Sequence, residues 1–307
     1  MKKVGTKKFN YKPSFVLAGT VRNVESNIYQ EVYFFQKILS SIGVCRILLI
    51  ESDSNDGTVL VLKKLTEELS NFKFISFGNL SAKIPNRIER LNFCRNQYLK
   101  KIKSDKNLRN SDFICIADFD EMNQKLSSEK IKNVLNYKFK WDGIFANQLK
   151  NYYDILALRH PYWSPNNAWD EFAWYSKYTN VKNTKERSVY NRMVRLKRDV
   201  GPIQVESAFG GFAIYKSRTL LKYNYTRTAS NEPGDIDHVI INKKIVNGGG
   251  KLFIDPKLIN AKWNIHSFSS SYLNRSFRLI VLKRNLFFLR GFFKSMRNLV
   301  LKILNNF

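Results

Sequence analysis

The apolar run SFVLAGTV at Ser14–Val21 ends in Gly-Thr and predicts a buried strand. Residues 28–41 follow with Ile28, Val32, Phe35 and Leu39 on one helical face. RILLIE at Arg46–Glu51 predicts a second buried strand, closed by the loop Ser52-Asp53-Ser54-Asn55-Asp56-Gly57. The spacing then predicts a helix over 58–69, a strand over 73–77 and a helix over 87–102. FICIA at Phe113–Ala117 is a further buried strand that runs directly into Asp118. Strands alternating with helices of this length predict an α/β fold with a mostly parallel sheet and helices on both faces. In such sheets ligands sit outside the carboxyl ends of the strands.

The pattern changes after residue 150. Tyr152, Tyr153, Tyr162, Trp163, Trp169, Phe172, Trp174, Tyr175 and Tyr178 crowd one segment, with Pro161 and Pro165 among them. No helical or strand period is visible there, so the segment reads either as irregular core or as a platform for stacking on sugar rings. Gly210-Gly211 opens the apolar stretch Phe212–Tyr215, and a polar loop leads to Asp237. A helix is predicted over 239–246, stopped by Gly248-Gly249-Gly250, with Leu252–Ile254 as a last short strand. Without repeats or low-complexity linkers, the simplest division is a catalytic domain over 1–268 and a C-terminal extension over 269–307.

Composition adds a partner class. The 307 residues are 44% hydrophobic and 14% aromatic, as a folded chain requires, yet the formal net charge is +27. Such an excess attracts anions: nucleic acid, anionic lipid or nucleotide phosphates. From Lys257 to Phe307 there are ten Lys or Arg and no Asp or Glu. Arg275, Arg278, Lys283, Arg284, Arg290, Lys294, Arg297 and Lys302 alternate with Leu, Ile, Val and Phe at helical spacing. That is the profile of an interfacial anchor on anionic lipid, or of a helix packed on the domain. Cys45, Cys94 and Cys115 have no metal spacing and read as small buried apolar residues in a reducing compartment. No window approaches the roughly 20 apolar residues of a transmembrane helix. The expected location is cytoplasmic, peripheral on the inner membrane face.

The chemistry-bearing residues sit at strand ends. Asp118-Phe119-Asp120 follows FICIA, and two carboxylates at that spacing can hold Mn²⁺ or Mg²⁺ with positions left open for a diphosphate; the bland alternative is a solvated turn. In Glu51–Thr58, Asp56 or Thr58 can cap the next helix, and Glu51 and Asp53 are free to accept from a base or ribose. Arg87, Arg90 and Arg95 share one helical segment, and a guanidinium fork suits phosphate. Arg95 lies about 140° further round than Arg90, so the three need not share a face.

VLAGTVRNVESN, then ESDSNDGT, then a strand entering DFD, resemble the core of a GT-A glycosyltransferase. More narrowly, RIERLNFCRN, FICIADFDE, NYYDILALRH and GGFAIYKSRTL resemble the fungal capsule-associated α-1,3-mannosyltransferase family and its bacterial relatives, over roughly residues 14–266. The resemblance implies that Gly19, Thr20, Arg22 and Asn23 line a nucleotide pocket, with Glu51 and Asp53 near base and ribose. It implies Arg87 and Arg95 at the diphosphate, and Asp118 and Asp120 on the metal, Asp118 also contacting the nucleotide sugar. His266 would be a further metal ligand, or else structural. Asp237 is the expected acid at the acceptor hydroxyl, with Glu232 and Asp235 as rivals. The segment departs from the family in carrying His160 after Arg159, and Asp-Phe-Asp replaces the usual Asn-Asp.

The implied activity is metal-dependent transfer of a hexose, mannose among the candidates, from a nucleoside-diphosphate sugar to a glycan or glycolipid in surface polysaccharide, lipopolysaccharide or capsule synthesis. If the reaction inverts, Asp237 is the general base; if it retains, Asp237 orients the acceptor. The alternatives are a metal-dependent nucleotidyltransferase and a basic nucleic-acid-binding protein. Strand-end acids repel nucleic-acid phosphate unless a metal intervenes, so no nucleic-acid partner is expected.

Overall fold

A computed structural model describes residues 12–228 and 234–262. In it β1 (Ser14–Val21), β2 (Val44–Glu51), β3 (Phe72–Ser76) and β4 (Phe113–Ala117) are parallel, in the order β3-β2-β1-β4. The connections between them carry α1 (Ile28–Ser40), α2 (Thr58–Glu68), α3 (Arg87–Ser104) and the single turn α4 (Lys106–Arg109). The chain winds outward from β1 to β3, then crosses back to β4 on the other side of β1. That reversal is a topological switch point, the place where open sheets of this kind form a crevice at the carboxyl ends of the strands, here β1 and β4.

The sheet continues past β4 with mixed pairing. After α5 (Ser128–Leu135) comes β5 (Gly143–Gln148), then α6 (Ala168–Tyr178), α7 (Thr184–Ser188) and β6 (Ile203–Val205). β7 (Phe212–Lys216), the turn α8 (Ser217–Leu220), α9 (Asp237–Asn247) and β8 (Leu252–Ala261) complete the order. β7 is antiparallel to both β4 and β5, and β8 is parallel to β5. β4, β5 and β8 therefore all point the same way, and their exits share the edge that holds the crevice. Eight strands form this one sheet, in the order β3-β2-β1-β4-β7-β5-β8-β6.

The two-residue period of the strands sorts the core into two layers. Val16 and Ala18 of β1 pack with Cys94, Tyr98, Leu99 and Ile102 of α3. Phe15 and Leu17 pack on the other face with Val32, Phe35 and Leu39 of α1 and with Leu62 and Leu65 of α2. Each fully buried side chain of this size contributes about 1.5–3 kcal/mol through removal from water. The cysteines are free and buried, as their apolar contexts suggested. No helix among the described residues is long and apolar enough to cross a membrane.

Three expectations need correction. The last strand runs ten residues, not three, because its buried polar members find hydrogen-bond partners. Asp255 accepts from the Tyr137 hydroxyl at 2.9 Å, and Asn260 accepts from Gln148 Nε2 at 3.0 Å. The aromatic segment is irregular only up to Asn167, whose side chain caps α6 by accepting from the Trp169 N–H at 2.9 Å. Ala168 is the sole buried residue of that helix, so it shows no core-facing period, and Trp174 and Tyr178 remain exposed. The sequence pattern also missed β5, whose last two residues, Asn147 and Gln148, are buried amides.

Candidate active site

Asp118 follows β4 at the crevice, and its N–H donates to Gly211 O at 3.0 Å. Phe119 then turns into the core beside Phe35, with ring centroids 5.4 Å apart. The ring lies so close to β1 that a Cβ on Gly19 would meet Phe119 Cε2 at 2.5 Å and Ala117 O at 2.7 Å. Burying the middle residue leaves Asp118 half-buried and Asp120 open to solvent on the crevice floor. Gly19→Ala should therefore displace the loop and lower turnover by at least about tenfold, with a stability loss of about 1–3 kcal/mol. Steady-state kinetics beside thermal unfolding would show it, and wild-type turnover would refute it.

The loop is held from two sides. On the α1 side, buried Glu31 accepts from the Glu121 N–H at 2.9 Å and from Asn27 Nδ2 at 2.8 Å. Asn27 Nδ2 also donates to Phe119 O at 3.2 Å. Glu121 takes a left-handed φ of 67°, the bend that brings its N–H to Glu31. On the β7 side, buried Asn123 donates to Asp118 O at 2.9 Å and to Gly211 O at 3.2 Å. Asn260 Nδ2 donates in turn to Asn123 Oδ1 at 3.0 Å and to Gly210 O at 2.7 Å. Gly210 and Gly211 have φ of 70° and 86°, which suits residues without a Cβ.

Carboxylates outnumber cations around this loop. Burial first, and the Asp120 charge second, push Asp118 well above the usual carboxylate range. Partial desolvation of the Asp120 carboxyl by the surrounding loop, exposed as the residue is, and the nearby Glu121 charge raise it to about 6. Burial, and then Asp120, raise Glu31 to about 8. Asp154 joins the cluster: burial lifts its pKa against the N–H bonds it accepts from Gly210 at 3.0 Å and Ala157 at 3.3 Å. Its charge also acts on Asp118. Sequence reasoning passed over Asp154, although it is an acid set among aromatic and apolar residues in NYYDILALRH.

The opposing cation is Arg95. It is buried and hydrogen-bonded through Nε to Asp237 Oδ2 at the start of α9. Its guanidinium carbon lies 5.8 Å from the Phe209 ring centre and 5.9 Å from that of Tyr225. Arg95 Nη1 is buried and makes no hydrogen bond. Burial works against the charge on Asp237, but Arg95 and then His238 outweigh it and hold the carboxyl below its ordinary range. His238 stacks on Phe209 at 3.6 Å, and burial, then Arg95, depress its pKa to about 3. Below about 6.5 the unfolded chain takes up a proton that folded His238 refuses, so stability falls as pH falls from about 6.5 towards 3. Between pH 7.5 and 5.5 this group should cost about 1.4 kcal/mol. Unfolding of wild type and His238→Leu at both pH values checks this, the variant lacking that share of the acid loss.

The expected nucleotide residues gather where β1 and β2 end. Arg22 Nε donates to Asp53 O at 3.1 Å, and Asn23 Oδ1 accepts from the Asn55 N–H at 2.8 Å. Gly19 and Thr20 close β1 beside them. Glu51 and Asp53, however, are not free acceptors. Glu51 takes the Ser54 N–H at 2.9 Å and the Ser76 hydroxyl. Asp53 takes the Ser81 N–H at 2.6 Å and pairs with Arg90 at 3.6 Å. Both carboxylates shape the loop walls. The three arginines separate as the helical angle implied: Arg87 is exposed, Arg90 half-buried and Arg95 buried.

Asp235 is also spoken for, pairing with Arg159 at 3.1 Å and Lys243 at 2.9 Å while almost fully buried. Asp237 is thus the acid that pairs with Arg95 and whose charge acts on Asp118, and Asp235 anchors the approach to α9. Glu232, His266 and the extension 269–307 lie outside the described residues.

A divalent cation fits the donor set. Asp118 and Asp120 offer hard oxygens, and their raised pKa values mark a site short of positive charge. Among the described residues no group of three or more His, Cys, Asp or Glu is gathered to enclose a metal. Mg²⁺ and Mn²⁺ do not require one, because waters and substrate phosphates complete their shells.

No protein-family profile and no curated protein sequence matches the chain. Several solved structures do. A mannosyltransferase from Pyrobaculum calidifontis, in complex with GDP-Man and Mn²⁺, is 12% identical with a TM-score of 0.49 over 82% of this chain and 57% of that one. TarS residues 1–349 from S. aureus, in complex with UDP-GlcNAc, is 12% identical with a TM-score of 0.44 over 88% and 66%. Glucosyl-3-phosphoglycerate synthase from Mycobacterium tuberculosis, with Mn²⁺, UDP and phosphoglyceric acid, is 9% identical with a TM-score of 0.40 over 81% and 67%. The chain spans little more than half the length of the first of these.

Proposed function

We propose that this chain is a metal-dependent glycosyltransferase of the GT-A type, moving a hexose from a nucleoside-diphosphate sugar to a glycan or glycolipid acceptor. The observation that carries the reading is the acid pair Asp118 and Asp120 on the crevice floor, electrostatically joined to Asp154, Asp237 and Arg95. Asp118 and Asp120 would hold Mn²⁺ or Mg²⁺, which supplies positive charge to the departing nucleoside diphosphate.

The remaining steps belong to the chain's own groups. Arg95 Nη1, a buried donor without a partner, is available to a phosphate oxygen entering the crevice. Arg22, Asn23 and exposed Arg87 border the nucleotide side, on walls set by Glu51, Asp53 and Arg90. Asp237 is ionised and faces the same cluster. Paired with Arg95 it is a weak base, and a diphosphate that draws Arg95 away would strengthen it. For inversion Asp237 would take the acceptor proton; for retention it would orient the hydroxyl.

Hydrolysis of a panel of GDP- and UDP-sugars, with and without Mn²⁺, is the direct test. Turnover of one donor that depends on Mn²⁺ is expected; no turnover of any donor overturns the reading. Mannose transfer, in line with the fungal-family resemblance, and a place in surface polysaccharide synthesis are the finer parts of the proposal. So is attachment to the inner membrane face, which the basic, apolar-interleaved residues 269–307 support. Vesicles containing phosphatidylglycerol should co-sediment the full chain and not a chain ending before Tyr272; equal binding would remove the anchor.

A further inference from the structure

Among the described residues three aromatic side chains are more than half exposed: Tyr162 at 94%, Trp174 at 54% and Tyr178 at 61%. All three fall in one stretch of the chain, from Tyr162 to Tyr178. Trp174 and Tyr178 stand four residues apart on α6, hence on one helical face, with ring centres 5.8 Å apart. Ala168 is the only buried residue of this helix, so packing on the core does not account for its two outer rings. Apolar surface gathered in the open in this way marks a place where something binds.

Two contacts fasten this stretch to the segment that leads into Asp237. Arg159, three residues before Tyr162, pairs with Asp235 at 3.1 Å. Asn167, the cap of α6, donates from Nδ2 to Gly234 O at 2.7 Å. The approach is so close that a Cβ on Gly234 would meet Asn167 Nδ2 at 2.3 Å and Asp170 Oδ2 at 2.4 Å. α6 therefore begins against the chain three residues ahead of Asp237 and runs outward, buried at its first residue and exposed at its last. At a rise of about 1.5 Å per residue, Trp174 stands roughly 10 Å along the helix from that contact, and Tyr178 roughly 16 Å. Those distances suit sugar units beyond the one at Asp237, not the reacting sugar itself.

The local charge narrows the ligand. Residues 168–188 carry three acids and four bases, a net of +1 in a chain of +27. Three of those bases lie over rings: Lys177 over Tyr178, Lys185 over Trp169 and Arg187 over Tyr175. Anionic lipid and nucleic-acid phosphate are drawn to surplus positive charge, which this face lacks. A neutral sugar suits it: the C–H face of the sugar covers a ring, and its hydroxyls accept from the Lys177 ammonium and the Arg187 guanidinium beside the rings. We propose that Trp174 and Tyr178 form a stacking platform for a neutral sugar unit of an oligosaccharide acceptor, beyond the unit that reacts. The assignment rests on the glycosyltransferase reading.

Trp174→Ala with Tyr178→Ala removes both rings at exposed helix positions, where alanine is the better helix former. Trp174→Phe with Tyr178→Phe keeps a ring at each. The full chain is titrated calorimetrically with neutral mannose, glucose and galactose oligosaccharides and with the three monosaccharides. The wild type should bind at least one oligosaccharide more tightly than its monosaccharide. Affinity for it should fall at least about tenfold in the alanine variant and less than about threefold in the phenylalanine variant. No oligosaccharide binding by the wild type, equal affinity in wild type and alanine variant, or equal losses in both variants overturns the platform. Phosphatidylcholine vesicles that lose the alanine variant while its oligosaccharide affinity stays intact give the face to lipid. A wild-type dimer that the alanine variant fails to form, again with that affinity intact, gives it to a second copy; either result overturns the proposal.

Donor turnover separates this proposal from the reading beneath it. Mn²⁺-dependent donor hydrolysis should be unchanged in both variants, because water as acceptor needs no platform. In transfer to the bound oligosaccharide, the alanine variant should show KM raised at least about tenfold with kcat nearly unchanged. A fall in kcat at unchanged KM would place the rings at the reacting centre and overturn the platform. If the wild type hydrolyses no donor, the glycosyltransferase reading fails, and the oligosaccharide titration alone decides whether the rings bind sugar.

Discussion

Asp118→Asn with Asp120→Asn should abolish Mn²⁺-dependent turnover, by at least about a thousandfold, while the metal-free protein becomes no less stable. The two halves of that result have one cause. Burial first, and then like charge, from Asp120 on Asp118 and from Glu121 on Asp120, hold both carboxyls above their ordinary pKa, so at neutral pH their ionised forms sit in surroundings that disfavour them. Amides of nearly the same shape remove that repulsion. They also remove the anionic oxygens that bind a divalent cation. Differential scanning calorimetry without metal, and again with Mn²⁺, separates the effects. The wild type should gain stability with Mn²⁺ and the double variant should not. A variant that unfolds early in both conditions would mean that the acids serve the fold.

Arg95→Met should destabilise the protein by about 3–5 kcal/mol, the cost of leaving Asp237 ionised and buried without its partner. Adding Asp237→Leu should recover much of that loss, since a buried ion pair replaced by apolar groups of similar volume is often neutral or better. Turnover should stay absent in both proteins. Recovery of stability without recovery of activity assigns the pair to the chemistry of the crevice; recovery of both would make it a packing element. Denaturant unfolding and donor hydrolysis on the two variants distinguish the outcomes.

Much of this site was legible in the chain before any coordinates. Ser14–Val21 and Phe113–Ala117 were bounded to the residue, because uninterrupted apolar runs closed by Gly-Thr and by Asp118 have few other readings. The placing of Asp118 and Asp120 at a strand exit followed from the same runs. Less visible were β5 and the second half of β8, where Asn147, Gln148, Asp255 and Asn260 break the apolar pattern. Their burial is tolerable only because each meets a hydrogen-bonding partner, most of them distant in sequence. Asp154 was missed for a related reason: nothing local marks a lone acid whose significance is its nearness to Asp118.

The sequence by itself determined the alternation of strands and helices, the loops that follow β1, β2 and β4, and the acid pair at the last of these. Those features depend on neighbours within a few residues, so a linear reading reaches them. Only the tertiary structure decided that Arg95 faces Asp237 across 142 positions, that Asp235 is held by Arg159 and Lys243, and that Glu51 and Asp53 brace their own loop. It also decided that Phe119 needs Gly19 to be a glycine. The net charge and basicity of a carboxylate are set by which charges and dipoles lie within a few ångströms, and for buried groups those come from anywhere in the chain.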